Sequence, residues 1–388
     1  MTNSSKIKSI EKSLYLNKEN ISLVGLNDGI IGYSLFYYYH YLLTNEEESY
    51  NKMVLFLENA LEKLNEKYES YKVKIEIIEI GKYLLFLIEK GLIEKSHIEN
   101  HLEVLDEVIL DYLYEKINER DLDSAVGLLF AASYFLERNT EKTPKIIEEI
   151  VNLIEQTKFE DTYGIYWQFK LRNAKSPKVE LGLGHGVAGV ITFLLQLIKC
   201  GFEKNRAESL AIKALDFLIS KKREKGINLF TINAFENETL DYNNLSYGDI
   251  GIGYTLFKAG EILLNKKYKE LGLEILKNAA KYKDDNQTFI KDANIIYGSS
   301  GLFSVFNFLY TKTGIEIFNE SKKYWLNKTL EFGEKDKEMK WAGYQTYFNS
   351  TYDFAQLGFS QGISGIGTAL ISNQIENDTD FLTFFNYN

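Results

Sequence analysis

The chain has 388 residues, a net charge of −10, 14% aromatic residues, two prolines and one cysteine. The negative balance argues against nucleic acid as the main partner, because phosphate binding needs a basic face. The single Cys200 excludes an internal disulfide framework and points to a reducing compartment.

In chain order, the opening MTNSSKIKSIEKSLYLNKENISL lacks the continuous apolar core of a secretion signal. No later run approaches the length needed to span a bilayer, so a soluble, cytoplasmic protein is expected. The phrase NDGIIGYSLF from Asn27 leads into an apolar helix, and MVLFLENALEKL after Lys52 is amphipathic at helical spacing. EIGKYLLFLI around Gly81 repeats the glycine phrase more weakly, with its glycine placed ahead of a helix. His97 and His101 in SHIENH are one helical turn apart, a spacing that can chelate a metal, but their charged setting reads as a solvated helix face. DSAVGLLFAASYFL from Asp123 is the next glycine-led helix, followed by the amphipathic PKIIEEIVNLIEQ from Pro144. The basic run KLRNAKSPK, Lys170 to Lys178, reads as a solvated loop. GHGVAGVITFL from Gly184 opens a helix that is apolar nearly all round and ends near Cys200, a small core or near-surface residue. LAIKALDFLISKK, SYGDIGIGYTLF from Ser246, IYGSSGLFSVF from Ile296, the charged tract EKDKEMK from Glu334 and QGISGIGTALI from Gln361 complete the series.

Gly29, Gly81, Gly127, Gly186, Gly248, Gly298 and Gly362 mark about seven units roughly 46 to 64 residues long, each with room for two helices. With only two prolines and no Pro/Ser-rich linker, residues 1–388 are expected to form one all-α domain. The simplest closed arrangement is an α/α toroid, a double ring of about seven glycine-led inner helices and seven amphipathic outer ones. Glycine at each inner mouth would permit unusual backbone angles and close approach. Unpaired N–H groups at the inner N-termini would then make one end hospitable to an anion.

The side chains within these phrases carry the candidate chemistry. His185 stands between Gly184 and Gly186, where its imidazole can project into the central space. Asp123 precedes Gly127 by four residues; it suits an N-cap, and a closed ring would bring it to the same mouth as His185 for proton transfer. Tyr247 and Tyr297 each directly precede a unit glycine, and either phenol could donate to a developing oxyanion.

This pattern resembles the lanthionine synthetase C-like family over essentially the whole chain, above all in GLGHGVAGV around His185, Asp123 ahead of Gly127, and SYGDIGIG after Leu245. The resemblance implies an α/α toroid of seven inner and seven outer helices. It also implies addition of a peptide cysteine thiol to dehydroalanine or dehydrobutyrine, forming a thioether ring. It assigns Asp123 and His185 to an acid/base pair and Tyr247 to the tyrosine of a Cys-Tyr-Gly phrase. Tyr242 and Tyr297, beside these turns, are taken as substrate-binding candidates. The implied partner is a dehydrated precursor peptide, with a lanthipeptide dehydratase and an exporter as further partners.

The departures are equally specific. Family members that bind zinc use a cysteine before that Tyr-Gly and a Cys-His pair before the next unit glycine. Here those positions are Ser246, Ile296 and Tyr297, and the arginine expected four residues ahead of the first cysteine is Tyr242. No zinc or other cofactor is therefore expected. The rival readings are a noncatalytic scaffold that binds the precursor peptide, and a carbohydrate-active toroid with paired carboxylates. The Gly-His-Gly and Tyr-Gly turns, with only three tryptophans to stack on sugars, do not lead to the second.

Overall fold

The structure, a computed structural model, describes residues 2–65, 67–170, 175–236, 242–283, 288–334, 339–375 and 378–387. Residues 171–174 of the basic run and 335–338 of the charged tract lie outside the described residues. The chain partitions into two compact units, one of Met1–Tyr83 and Lys283–Thr383, the other of Leu84–Tyr282 and Phe384–Tyr387.

The first unit holds α1 (Asn3–Leu16), α2 (Ile30–Thr44), α3 (Glu47–Lys63), the start of α4 (Val73–Glu89), α12 (Ser299–Thr313), α13 (Glu316–Phe332), the short α14 (Asp353–Leu357) and α15 (Ile363–Ser372). Here the glycine-led α2, α12 and α15 neighbour one another through α15, and the amphipathic α3, α13 and α1 pack on them from outside. The second unit holds α5 (Lys95–Glu119), α6 (Leu128–Arg138), α7 (Thr143–Thr157), α8 (Val187–Cys200), α9 (Lys204–Ser220), α10 (Asp249–Ile262) and α11 (Lys266–Lys281). Its inner row is α6, α8 and α10, backed by α5 and α7, by α9, and by α11 respectively.

Side-chain pattern explains which helix goes where. In α8 the run from Val187 to Leu195 is buried on every side, as an inner helix requires. In α7 only Thr143, Ile146, Ile147, Ile150, Val151, Leu153 and Ile154 are buried, a single stripe at helical spacing, and Pro144 sits in the first turn where it displaces no hydrogen bond. Between α10 and α11 the backbones themselves touch. A Cβ on Gly272 would lie 2.7 Å from the Gly253 carbonyl, and one on Gly260 would lie 2.5 Å from Lys269 Cα.

Six of the seven landmark glycines are helix N-caps: Gly29, Gly127, Gly186, Gly248, Gly298 and Gly362. The seventh expectation fails, because Gly81 lies inside α4 and not ahead of it. Ile77, Ile78 and Ile80 already lie in that helix, so the apolar period runs through the glycine, and one glycine without a partner does not break it.

A two-stranded hairpin also interrupts the all-helical reading. β1 (Phe159–Asp161) pairs antiparallel with β2 (Gly164–Tyr166), and Asp161 Oδ1 accepts from the Tyr163 and Gly164 amides to close the turn.

Candidate functional site

Four of the inner-helix mouths share one local construction. The first two amides of α2, α6, α8 and α12 donate back to the loop before the cap glycine: in α8, Val187 N to Glu180 O at 2.9 Å and Ala188 N to Leu181 O at 3.2 Å. Such a loop folds tightly under the helix and leaves no room for a side chain at the cap. A Cβ on Gly186 would stand 2.5 Å from the Glu180 carbonyl oxygen. The backbone of Gly186 is extended, so space alone demands glycine there; at Gly248, φ is +89° and the conformation demands it as well. These loop bonds correct the expectation of free helix N-termini, since in four mouths the leading N–H groups already have carbonyl partners and are not left for an anion.

Four residues before the cap, three turns carry a carboxylate or amide that accepts from the turn's own backbone. Asn244 Oδ1 takes Ser246 N at 3.0 Å and Tyr247 N at 2.9 Å, and Asn294 Oδ1 takes Tyr297 N at 2.7 Å. Asp123 does the same with Oδ1, from Ala125 N at 2.8 Å and Val126 N at 2.9 Å. It is thus a turn former and not the N-cap that its position suggested; the cap is Gly127. Its second oxygen has a different partner, for the His185 Nδ1–H donates to Asp123 Oδ2 at 2.7 Å. The carboxylate is buried and the imidazole keeps about a fifth of its surface exposed, so Nε2 is the nitrogen left to exchange a proton. Burial disfavours the charged ring. The hydrogen bond and charge of Asp123, with Glu180 and Asp121 behind it, outweigh that and hold the His185 pKa above its ordinary value.

Tyr247 and Tyr242 join this pair. The Tyr247 ring centroid lies 6.3 Å from that of His185, and the Tyr242 ring lies 5.8 Å from Tyr247. The Tyr247 turn is held from behind, because Tyr387, buried against Tyr254 at 4.9 Å between centroids, donates its hydroxyl to Leu245 O at 3.2 Å. The Asp249 carboxylate, in the first turn of α10, accepts from Leu229 N at 2.6 Å and Phe230 N at 3.1 Å. The chain just after Phe230 bridges to the segment entering the His185 turn through Leu181 N to Ile232 O and Ala234 N to Val179 O. One unit therefore assembles Asp123, His185, Tyr242 and Tyr247, three expected site residues and a fourth expected to bind substrate, from the mouths of α6, α8 and α10 and the loop entering the last of them.

Tyr297 and Ile296 belong to the other unit. Tyr297 packs edge-on against Phe348 at 5.3 Å, and its phenol pKa is raised by burial and then by the charge of Asp28. A phenol that holds its proton, the alkyl side chain of Ile296 and the hydroxyl of Ser246 do not form a donor set for zinc, which takes thiolate, imidazole or carboxylate. Among the described residues no group of three or more His, Cys, Asp or Glu side chains is placed to hold a metal ion. His97 and His101 are exposed on α5, and Cys200 is exposed at the end of α8.

Asp121 and Glu180, which bias the imidazole, were not singled out in the sequence. Both come from the loop stretch folded under a cap glycine, at the sixth residue before Gly127 and Gly186, and that recurrence was the available signal. Among the described residues no helix is long and apolar enough to cross a membrane.

No curated protein sequence matches the chain. In structure it resembles a solved chain called nisin cyclase, at 20% identity and a TM-score of 0.77, over 99% of this chain and 98% of that one. The fold is accordingly an α/α toroid, as the repeat predicted. A sugar epimerase from a ruminal bacterium is a more distant likeness, 14% identical with a TM-score of 0.42 over 95% of this chain and 99% of the other. The family model for lanthionine synthetase C-like protein matches residues 23–386, and the chain belongs to that family.

Proposed function

We propose that the protein forms thioether rings in a dehydrated precursor peptide in the cytoplasm, by adding cysteine thiols to dehydroalanine or dehydrobutyrine without zinc. The observation that carries this reading is the 2.7 Å bond from His185 Nδ1 to Asp123, with Nε2 free to act and Tyr247 beside it. His185 Nε2 takes the thiol proton, and the thiolate forms the new C–S bond at the β-carbon of the alkene. The π electrons move to the carbonyl oxygen as an enolate, which accepts a hydrogen bond from Tyr247. The imidazolium then returns its proton to the α-carbon, so the step needs no other reagent.

The energetics permit the loss of a metal. A free thiol has a pKa of about 8.5, so ionising it at pH 7 costs roughly 2 kcal/mol. A neighbouring imidazole whose proton affinity is raised by Asp123 offsets much of that, and holding thiol and alkene together supplies further acceleration.

Loss of alkylatable thiol from the dehydrated cognate peptide, followed by mass spectrometry in the presence of chelator, tests the reading. The native protein is expected to outpace both the His185→Ala variant and the peptide alone, with the variant slower by on the order of a hundredfold or more. A second reading, a precursor-binding scaffold that serves a dehydratase or exporter, is favoured by the unsuitable donors at Ser246, Ile296 and Tyr297. Equal thiol loss in all three samples, with the peptide bound, would establish it in place of the cyclase.

A further inference from the structure

Ser124 occupies a position that is apolar in every other glycine-capped mouth. Three residues before the caps Gly29, Gly186, Gly248, Gly298 and Gly362 stand Leu26, Leu183, Leu245, Ile295 and Phe359, all buried to 3% exposure or less. Before Gly127 the residue is Ser124, also buried. A core position that otherwise holds a large apolar side chain has here lost that packing and gained a hydroxyl, and local turn geometry does not require the change, since the same turn forms around Leu245 and Ile295.

The hydroxyl has a definite use across the fold. Ser124 Oγ lies 2.7 Å from Leu183 O and 2.8 Å from Gly184 O, the two carbonyls directly before His185 and about sixty residues away in the chain. One proton is shared between two acceptors. The space for it exists because α8 has glycine at its third residue: a Cβ on Gly189 would overlap Ser124 Oγ and stand 3.0 Å from Ser124 Cβ. The Asp123-Ser124 dipeptide therefore holds the His185 turn at two points, the imidazole through Asp123 Oδ2 and the main chain through Ser124 Oγ.

We propose that Ser124 is a positioning residue for the His185–Asp123 pair, its hydroxyl fixing the peptide that carries the imidazole at the distance where Nδ1 meets the carboxylate. The consequence for catalysis rests on the cyclase reading above; the positioning itself does not. The charged groups around the ring are Asp123, Asp121 and Glu180, and Tyr247 is the titratable side chain facing it from the α10 turn.

The test is an NMR titration of the His185 imidazole in the full chain, assigned with His185→Ala, for native protein, Ser124→Ala and Leu26→Ala. Leu26→Ala removes the equivalent side chain in the α2 mouth and controls for general loss of packing. In Ser124→Ala the His185 midpoint is expected to fall by about half a pH unit or more, as the hydrogen bond to Asp123 lengthens, and in Leu26→Ala to stay at the native value. In the peptide assay Ser124→Ala should lose about tenfold in kcat with KM unchanged, the pattern of a misplaced acid/base group. A folded Ser124→Ala whose His185 midpoint matches the native one overturns the proposal. Should Ser124→Ala fail to fold, Ser124→Cys replaces the hydroxyl with a much weaker donor; a midpoint below the native one supports the role, and an unchanged midpoint overturns it. A moved midpoint in a protein that consumes no thiol would leave Ser124 positioning the pair and remove the cyclase reading alone.

Discussion

Asp123 divides its carboxylate between its own turn and the His185 imidazole, and the Asn244 and Asn294 turns show which half an amide can replace. Asp123→Asn should keep the turn through Oδ1 and lose the negative charge that raises the His185 pKa. At pH 8 its thermal unfolding is expected near the native midpoint, while cyclisation falls on the order of a hundredfold. The pH dependence follows from the direction of the shift. In the proposed reaction His185 must be neutral to take the thiol proton, and its pKa lies above the ordinary 6.5, so the acid limb of kcat/KM should lie above that value in the native protein and move to lower pH in Asp123→Asn. A group whose pKa rises on folding stabilises the fold most below its unfolded pKa and loses that contribution as pH climbs through the folded one. The stability gap between native protein and Asp123→Asn should accordingly be larger at pH 6 than at pH 8, as denaturant titrations at the two pH values would read. The pair itself was legible as two residue types beside repeated glycines. Their contact was not, because 62 residues separate them and no local pattern encodes it.

The glycine-capped mouth is the element that recurs, and its glycines differ in what they tolerate. At Gly186 a methyl group would meet the Glu180 backbone, which cannot rotate away; Gly186→Ala should cost about 1–3 kcal/mol or more in chemical denaturation, from overpacking alone. At Gly248 the left-handed backbone adds conformational strain to a clash with the Tyr242 carbonyl, so Gly248→Ala should be worse than Gly186→Ala on the same scale. The reverse order would mean that the α10 mouth relaxes more readily than its geometry implies. Repetition made these mouths readable, since a phrase returning six times ahead of apolar runs has few structural explanations. Gly81 was misread because a glycine inside an apolar run looks the same in sequence as one that precedes it. The β1–β2 hairpin escaped notice for another reason, as strands of three residues carry too little alternation to register.

Across the whole molecule, the net charge of −10 and the hydroxyl, alkyl and phenol side chains of Ser246, Ile296 and Tyr297, where the family resemblance led us to expect thiolate and imidazole, bear on what can bind. Protein purified without chelator should contain far less than one zinc per chain by elemental mass spectrometry, and added zinc should not raise its Tm. A stoichiometric metal would require ligands other than Ser246, Ile296 and Tyr297. The sequence by itself determined the all-α class, the repeated two-helix unit and the identity of the candidate acid/base residues, because helical periodicity, scarce proline and a returning glycine phrase are local properties written along the chain. Tertiary structure alone decided that Asp123 meets His185, that Ser124 grips the peptide before it, and that most mouth glycines serve space and not backbone angle. The first two depend on distances between segments about sixty residues apart, and the third on how tightly the loop before each cap folds under its helix, all of which packing sets and residue order does not state.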